Sequence, residues 1–290
     1  MLNGLIDLHV HTAPDVRPRR LDDVAQARLA RSVGATGLLL KSHVVPTMDR
    51  ARLTEQLVPG IRVFGALVLN ETVGGLNPAA VQAAAALGAR VIWLPTLDAA
   101  NHRRRSGKAG GIAMLRDGRL DPALNEILTL VARHDLALAT GHISPDEIHA
   151  LVPAAFDAGI RRVVVTHPEH AIVSLSLKDQ VRLAARHPVI FERCYAHPGP
   201  DGHYLENAAA NLAAVRELGP DSTYLSTDCG QLENTSWDEA WLRTCRDFLA
   251  AGISPEAYRH MTQDIPAFVV GITDARPATF TAAANLRAAA

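Results

Sequence analysis

Eight short apolar runs alternate with eight alanine-rich amphipathic stretches along this 290-residue chain, and that alternation predicts a single (β/α)8 TIM barrel. Two further observations point the same way. The apolar runs are continuously hydrophobic, as strands of a parallel sheet buried on both faces are. Eight such units also fit the roughly 250 residues that a barrel of this kind takes. A doubly wound open sheet shares the alternation. No GxGxxG follows the first strand, which weakens its dinucleotide-binding form.

In order, the predicted strands cover residues 5–10, 37–40, 62–69, 90–94, 136–140, 162–166, 189–192 and 223–226. The helices between them cover 21–32, 49–57, 78–87, 122–133, 145–158, 177–186, 206–218 and 237–250. Punctuation supports the boundaries. "SPDE" from Ser144 offers an N-cap, a proline in the first turn and a glutamate at the third position. "NPAA" from Asn77 and "DPAL" from Asp121 read the same way, and "SVGA", "ALGA" and "DAGI" end helices at glycine. No Pro/Gly/Ser linker divides the chain, so residues 1–272 read as one domain. The small-residue stretch 273–290, "TDARPATFTAAANLRAAA", reads as a frayed or loosely docked tail.

Composition narrows the function. Hydrophobic residues make up 48%, enough for a large core, and aromatics only 4%, so Ala, Leu, Val and Ile must build it. A net charge of -1 gives no global field to recruit nucleic acid or an anionic membrane. The three cysteines, Cys194, Cys229 and Cys245, are odd in number and show no CxxC spacing, which suits a reducing cytoplasm. No signal peptide or membrane-spanning run is evident.

Barrel chemistry gathers at the C-terminal ends of strands. There the sequence places Asp7, His9 and His11 ("DLHVH"), Lys41 and His43 ("LLLKSH"), Asn70, His142 ("ALATGH"), His167 and then His170, Glu192, and Asp228 ("YLSTD"). The fourth strand, "VIWLPT", ends without an ionisable group. Side chains two apart on a strand share a face, so His9 and His11 form either a pincer for a metal or a plain polar strand end. By the same two-residue period Asp7 falls on their face, where it would orient a ligand histidine. Imidazoles with one carboxylate are ligands for a Zn-like, Mn-like or Fe-like divalent ion. His102, His134, His149, His187 and His260 fall on helices or loop surfaces.

"DLHVHTAPD" on the first strand, a histidine after each of the fifth and sixth strands and an aspartate after the eighth resemble the amidohydrolase superfamily of metal-dependent hydrolases. The likeness spans roughly residues 5–271. It implies a barrel holding one or two divalent ions, most often zinc, on His9, His11, His142, His167 and Asp228. The fourth strand departs from the pattern, because "LPT" lacks the bridging lysine or glutamate of binuclear members. Lys41 on the second strand either bridges two ions as a carboxylated lysine or stays an ammonium. The phrases "LLLKSHVVPT", "LVLNETVGGLNPAAV" and "LATGHISPDE" resemble a less characterised branch. A weaker likeness, through DLHxH and His43, is to PHP-type phosphoesterases.

The mechanism so implied is attack of metal-activated water on a C–N or C–O bond of an amide, cyclic amide or lactone. Asp228 is the expected general base, with Lys41 and His43 as catalytic stabilisers of the developing oxyanion. Asn70, His170, Glu192, Arg103 and Arg104 are the expected substrate contacts. The arginines lie in a long basic loop, a candidate lid, and suggest an anionic small molecule. Arg17, Arg19 and Arg20 form either a second anion clamp or a solvated edge. A metal-dependent phosphoesterase, a lyase or decarboxylase on the same centre, and an inert ligand-binding barrel are the alternatives. The expected partners are a small-molecule substrate and copies of the same chain in a homo-oligomer, without nucleic acid or membrane.

Overall fold

In the computed structural model, which describes residues 2–199, 201–273 and 276–277, every predicted strand forms. They are β1 (Ile6–Val10), β2 (Gly37–Leu40), β3 in two pieces (Arg62–Phe64 and Ala66–Val68), β4 (Val91–Trp93), β5 (Ala137–Ala139), β6 (Arg162–Val165), β7 (Ile190–Cys194) and β8 (Thr223–Ser226). All pair in parallel with their sequence neighbours. β3 breaks at Gly65, where an added Cβ would lie 2.3 Å from Cα of Met48, so that only glycine admits the helix behind it. The two ends of the array meet just past β8. Val10 bridges Cys229 in parallel, the His11 N–H donates to the Cys229 carbonyl at 2.8 Å, and the Asp228 N–H donates to the His9 carbonyl at 3.0 Å. The barrel is therefore joined at this seam by the very residues that carry the polar strand ends.

The helices are α1 (Asp23–Ser32), α2 (Met48–Leu57), α3 (Pro78–Ala86), α4 (Ala100–Arg105), α5 (Ala123–Arg133), α6 (Pro145–Asp157), α7 (Leu177–Arg186), α8 (Ala208–Leu218) and α9 (Trp237–Ala250), then α10 (Pro255–Arg259) and α11 (Ile265–Val269). Ser144 and Glu147 close a reciprocal capping box on α6, and Asn77 caps α3, as their motifs predict. Apolar residues form a layer between sheet and helices and a second layer inside the barrel. The inner layer contains Ile6, Leu8, Leu39, Phe64, Trp93, Val164, Ile190 and Tyr224. Ile265, Phe268 and Val269 of α11 join it and plug the N-terminal end of the barrel.

Two segments read as loops are structured. The stretch after β4 folds into α4 and a hairpin, Leu115–Arg116 with Arg119–Leu120, because "ANHRRR" has enough length for one turn and a half. The stretch after β7 forms a hairpin of Ala196–Pro198 with Tyr204–Glu206. All three cysteines are free and buried, in keeping with the absence of a disulfide framework. Among the described residues no helix is long and apolar enough to cross a membrane. The expected tail, 273–290, lies almost wholly outside the described residues.

Candidate metal centre

The opening strand sets the site. β1 pairs Asp7 with Leu38 and then Val10 with Leu40, so it carries one more residue than β2 across this step. Such a bulge re-aims the side chains that follow it. Ile6 and Leu8 face the barrel interior. Asp7 points the other way and accepts hydrogen bonds from Trp237 Nε1 (2.8 Å), Trp241 Nε1 (3.0 Å) and Thr227 Oγ1 (2.7 Å). This corrects the expectation that Asp7 shares the histidine face. The two-residue period fails because the bulge resets it. Asp7 instead pins β1 to α9, and its link to His9 is through the His9 N–H (3.0 Å).

His9 and His11 do share a face. Asp228 Oδ1 stands 3.1 Å from Nε2 of both. Burial alone would raise the Asp228 carboxyl, yet the two imidazoles hold it well below the usual carboxylate range, so it is ionised. His11 is driven down to about 3 by burial and is neutral. For His9 burial also pushes downward, but Asp228 and Glu192 outweigh burial and Lys41, leaving it at about 9.

The far side of His9 is fully built. Glu192 Oε1 lies 3.1 Å from its Nδ1 and accepts from Tyr224 OH at 3.0 Å. A carboxylate on the second nitrogen fixes the tautomer and raises the basicity of the first. Lys41 Nζ approaches His9 Nε2 at 2.9 Å and lies 4.9 Å over the Trp93 ring; burial pulls its pKa down. Cys194 Sγ is 3.7 Å from His9 Nδ1, and His9, Cys194 and Asp228 offer ligand atoms within 4.8 Å of one another. We favour His9 Nε2, His11 Nε2 and Asp228 as the donor set. His9 Nδ1 is already claimed by Glu192, and burial raises the Cys194 thiol well above its ordinary value, so it is not a thiolate.

A shell of imidazoles surrounds this trio. His43 stacks on His11 with centroids 4.7 Å apart, held by Thr96 Oγ1 at 2.8 Å from its Nδ1. His142 and His167 lie 4.9 Å apart, and His167 is 5.9 Å from His9. His170 packs 5.1 Å from His167 and stacks on His197 at 4.6 Å. His102, expected on a surface, stacks on His142 with Nδ1 of each 2.7 Å apart. Burial lowers the pKa of His43, His102, His142, His167, His170 (to about 4) and His197 (to about 3). Neutral imidazoles are the ligand-competent form, so these six are ready to bind, whereas His9, at about 9, gives up a proton when a cation takes its place. His142 and His167 thus stand beside the trio, with His167 stacked against His9.

Backbone strain marks two of these positions. His167 (φ 25°) and Asp228 (φ 54°) occupy the left-handed region without being glycine, a conformation that clusters at functional sites. Gly230 (φ 128°) packs so closely that an added Cβ would lie 1.8 Å from the His11 carbonyl oxygen. On β7, Arg193 is fully buried and pairs with Glu169, while its Nη1 also donates to Gln180 Oε1 at 2.8 Å. Glu169 lies between His167 and His170, so this pair anchors the loop that carries both.

Other expected contacts fall elsewhere. Glu192 is buried behind His9 and places its Oε1 on His9 Nδ1. Asn70 spends its amide on the His43 carbonyl (2.9 Å), Thr96 Oγ1 (2.8 Å) and the Thr96 N–H (2.8 Å), so it is scaffold and not a free contact. Arg103 pairs with Asp98 (2.8 Å) and Glu71 (2.9 Å), and Arg104 donates to Asn101 (2.8 Å) and lines a separate surface cleft. Both are drawn outward because α4 turns its basic side chains to nearby acceptors. Sequence reading missed His102, Thr96 and Tyr224. A helical reading of "ANHRRR" would have found the first.

The architecture has known counterparts. A candidate 2-pyrone-4,6-dicarboxylic acid hydrolase from Pseudomonas putida superposes with a TM-score of 0.58 at 17% identity, covering 92% of this chain and 97% of that one. A 2,6-dihydroxybenzoate decarboxylase gives 0.57 at 13%, covering 93% and 99%. An enamidase described as a member of the amidohydrolase superfamily gives 0.59 at 13%, covering 93% and 67%. At these identities the likeness establishes the shared barrel fold. No curated protein matches in sequence. Residues 4–192, more than half of the chain, match a family described as a family of unknown function (DUF6282), and the chain belongs to that family.

Proposed function

We propose that this protein is a divalent-metal-dependent hydrolase acting on a C–N or C–O bond of a small molecule. One observation carries the reading: a single carboxylate oxygen of Asp228 lies 3.1 Å from Nε2 of both His9 and His11, which come from the opposite end of the chain. The donor set fits a cation. It offers two imidazoles and an ionised carboxylate, with Glu192 on the second nitrogen of His9 as such ligands require. His9, His11 and Asp228 would hold the ion, with His142 and His167 at the margin for a second. Zinc suits these ligands, and manganese or iron are accommodated by the same set.

A divalent ion held by His9, His11 and Asp228 would supply Lewis acidity, polarising a substrate oxygen and lowering the pKa of water from about 15.7 towards about 7. The rest falls to the chain. Asp228, kept ionised by its histidines, accepts the proton of the attacking water and returns it to the leaving group. Lys41 and His43 flank the trio from β2 and stabilise the developing oxyanion, a contribution of about 3 to 4 kcal/mol per well-placed donor. The fold shared with a hydrolase and an enamidase supports this chemistry. The fold shared with a 2,6-dihydroxybenzoate decarboxylase favours a second reading, decarboxylation at the same centre.

The test is metal content and turnover together. Purified protein should carry at least one divalent ion per chain and hydrolyse members of an ester, lactone and amide panel. The double variant His9→Ala, His11→Ala should lose both ion and turnover. Undiminished ion content in that variant would refute the site. Release of CO2 from hydroxybenzoates without hydrolysis of the panel would move the assignment to the second reading.

A further inference from the structure

We propose that Arg19 is the specificity residue of this centre and selects substrates that bear a carboxylate; the inference rests on the metal-dependent reading above. Arg19 lies in the segment after β1. Its backbone bridges Gln231 in antiparallel fashion, and the next residue, Arg20, donates its N–H to the Gly230 carbonyl at 2.8 Å. Gly230 is the residue pressed against the His11 backbone, and Gln231 Nε2 reaches Asp228 Oδ1 at 3.5 Å. The segments after β1 and β8 are therefore stapled together beside the ligands, with Arg19 in the staple.

The Arg19 side chain is 2% exposed, and so is held out of water. Its Nε and Nη2 both contact Asp15 Oδ2 at 2.8 Å, and Asp15 is itself 3% exposed. Among the described residues Nη1 has no hydrogen-bond partner. A guanidinium carries five donors in a fixed planar fork. Here one edge is locked by Asp15 and the other is left open. Arg19 lies within electrostatic range of His11, Lys41 and His43. Tyr204, from the hairpin after β7, stands within electrostatic reach of both Arg19 and Asp228.

The other arginines of this rim are spoken for or face water. Arg17 is exposed, Arg20 reaches the carbonyls of Leu232 and Asn234 at 2.8 Å each, and Arg103 and Arg104 are paired away from the imidazoles. The planar fork matches the two oxygens of a carboxylate. A phosphate dianion would place its second negative charge near Asp15 and Asp228, a repulsion that a singly charged carboxylate reduces. A substrate with its scissile group at the trio and a carboxylate on Arg19 satisfies both ends.

The zinc-loaded protein can be titrated calorimetrically with dicarboxylates from succinate to adipate and with monocarboxylates of equal length, butyrate to hexanoate. At one length the dicarboxylate should bind at least about tenfold more tightly than its partner, the effect of one charge-assisted hydrogen-bonded contact. Arg19→Met should abolish that preference and leave zinc content and monocarboxylate affinity unchanged. Arg19→Gln, which keeps a donor towards Asp15, carries the same expectation if the methionine variant does not fold. A wild type with no dicarboxylate preference at any length, or a preference that survives in either variant, overturns the proposal. Zinc content, measured before any anion is added, reports separately on the metal reading.

Discussion

Lowering the pH from 7 to 5 should destabilise the metal-free chain by about 5 kcal/mol or more. Burial holds His11 and His197 at about 3 and His170 at about 4, against 6.5 for a solvated imidazole. These folded-state values are depressed. Below pH 6.5 the unfolded chain therefore takes up protons that the folded chain refuses, and stability falls as pH falls. Each group costs about 1.4 kcal/mol per pH unit below 6.5, or about 2 kcal/mol at pH 5. Three such groups cost about 6 kcal/mol. His9 works in the opposite sense. Raised to about 9, it contributes stability that is fully present below 6.5 and lost as pH climbs through 9. Between pH 7 and 5 it returns about 1 kcal/mol, which leaves the net near 5. His43, His142 and His167 are lowered too and act in the same direction as the three. The loss is comparable to the whole stability of many domains. Urea unfolding after chelation, followed by circular dichroism at pH 7 and pH 5, measures it. A difference under about 1 kcal/mol would mean that these imidazoles are not buried and neutral, and the account of the shell would fall with it.

Three substitutions probe the rest of the centre. Glu192→Gln removes the carboxylate behind His9 and should weaken metal binding about 10- to 100-fold, read by competition with a chromophoric chelator; unchanged affinity would mean that His9 is not a ligand through Nε2. Glu169→Ala leaves Arg193 buried without its counter-charge and should cost about 3 to 5 kcal/mol in urea unfolding, with a loss near zero showing that the pair is not closed to solvent. Gly230→Ala drives a methyl into the His11 carbonyl at a φ that disfavours side chains, so it should reduce metal content more than Gly88→Ala, which also has positive φ but meets nothing within 4 Å. Equal metal content in those two variants would show that the close approach at His11 does not position the ligand.

Much of this molecule is legible in one dimension. Continuous apolar runs such as "LLL" and "VVV" can be buried only on both faces, and the helix caps at Asn77 and Ser144 act within four residues of chain. Polar residues that end such runs also declare themselves, because His9, His142, His167 and Asp228 each stand where an apolar side chain would otherwise fit. What failed was direction. The two-residue period puts Asp7 on the histidine face, whereas a one-residue bulge turns it onto two tryptophans. Arg103 and Arg104 looked like anion contacts, and a short helix aimed them at local acceptors.

By itself the sequence determined the number and order of the strands, the helices between them and the ring of residues at their ends, since these follow from local hydrophobic period and capping. Tertiary structure alone decided which nitrogen of each histidine faces Asp228, that Glu192 backs His9, and that His102 and His197 join the shell. Those facts depend on distances between residues up to 219 positions apart, as from His9 to Asp228, and on backbone angles that no local pattern encodes.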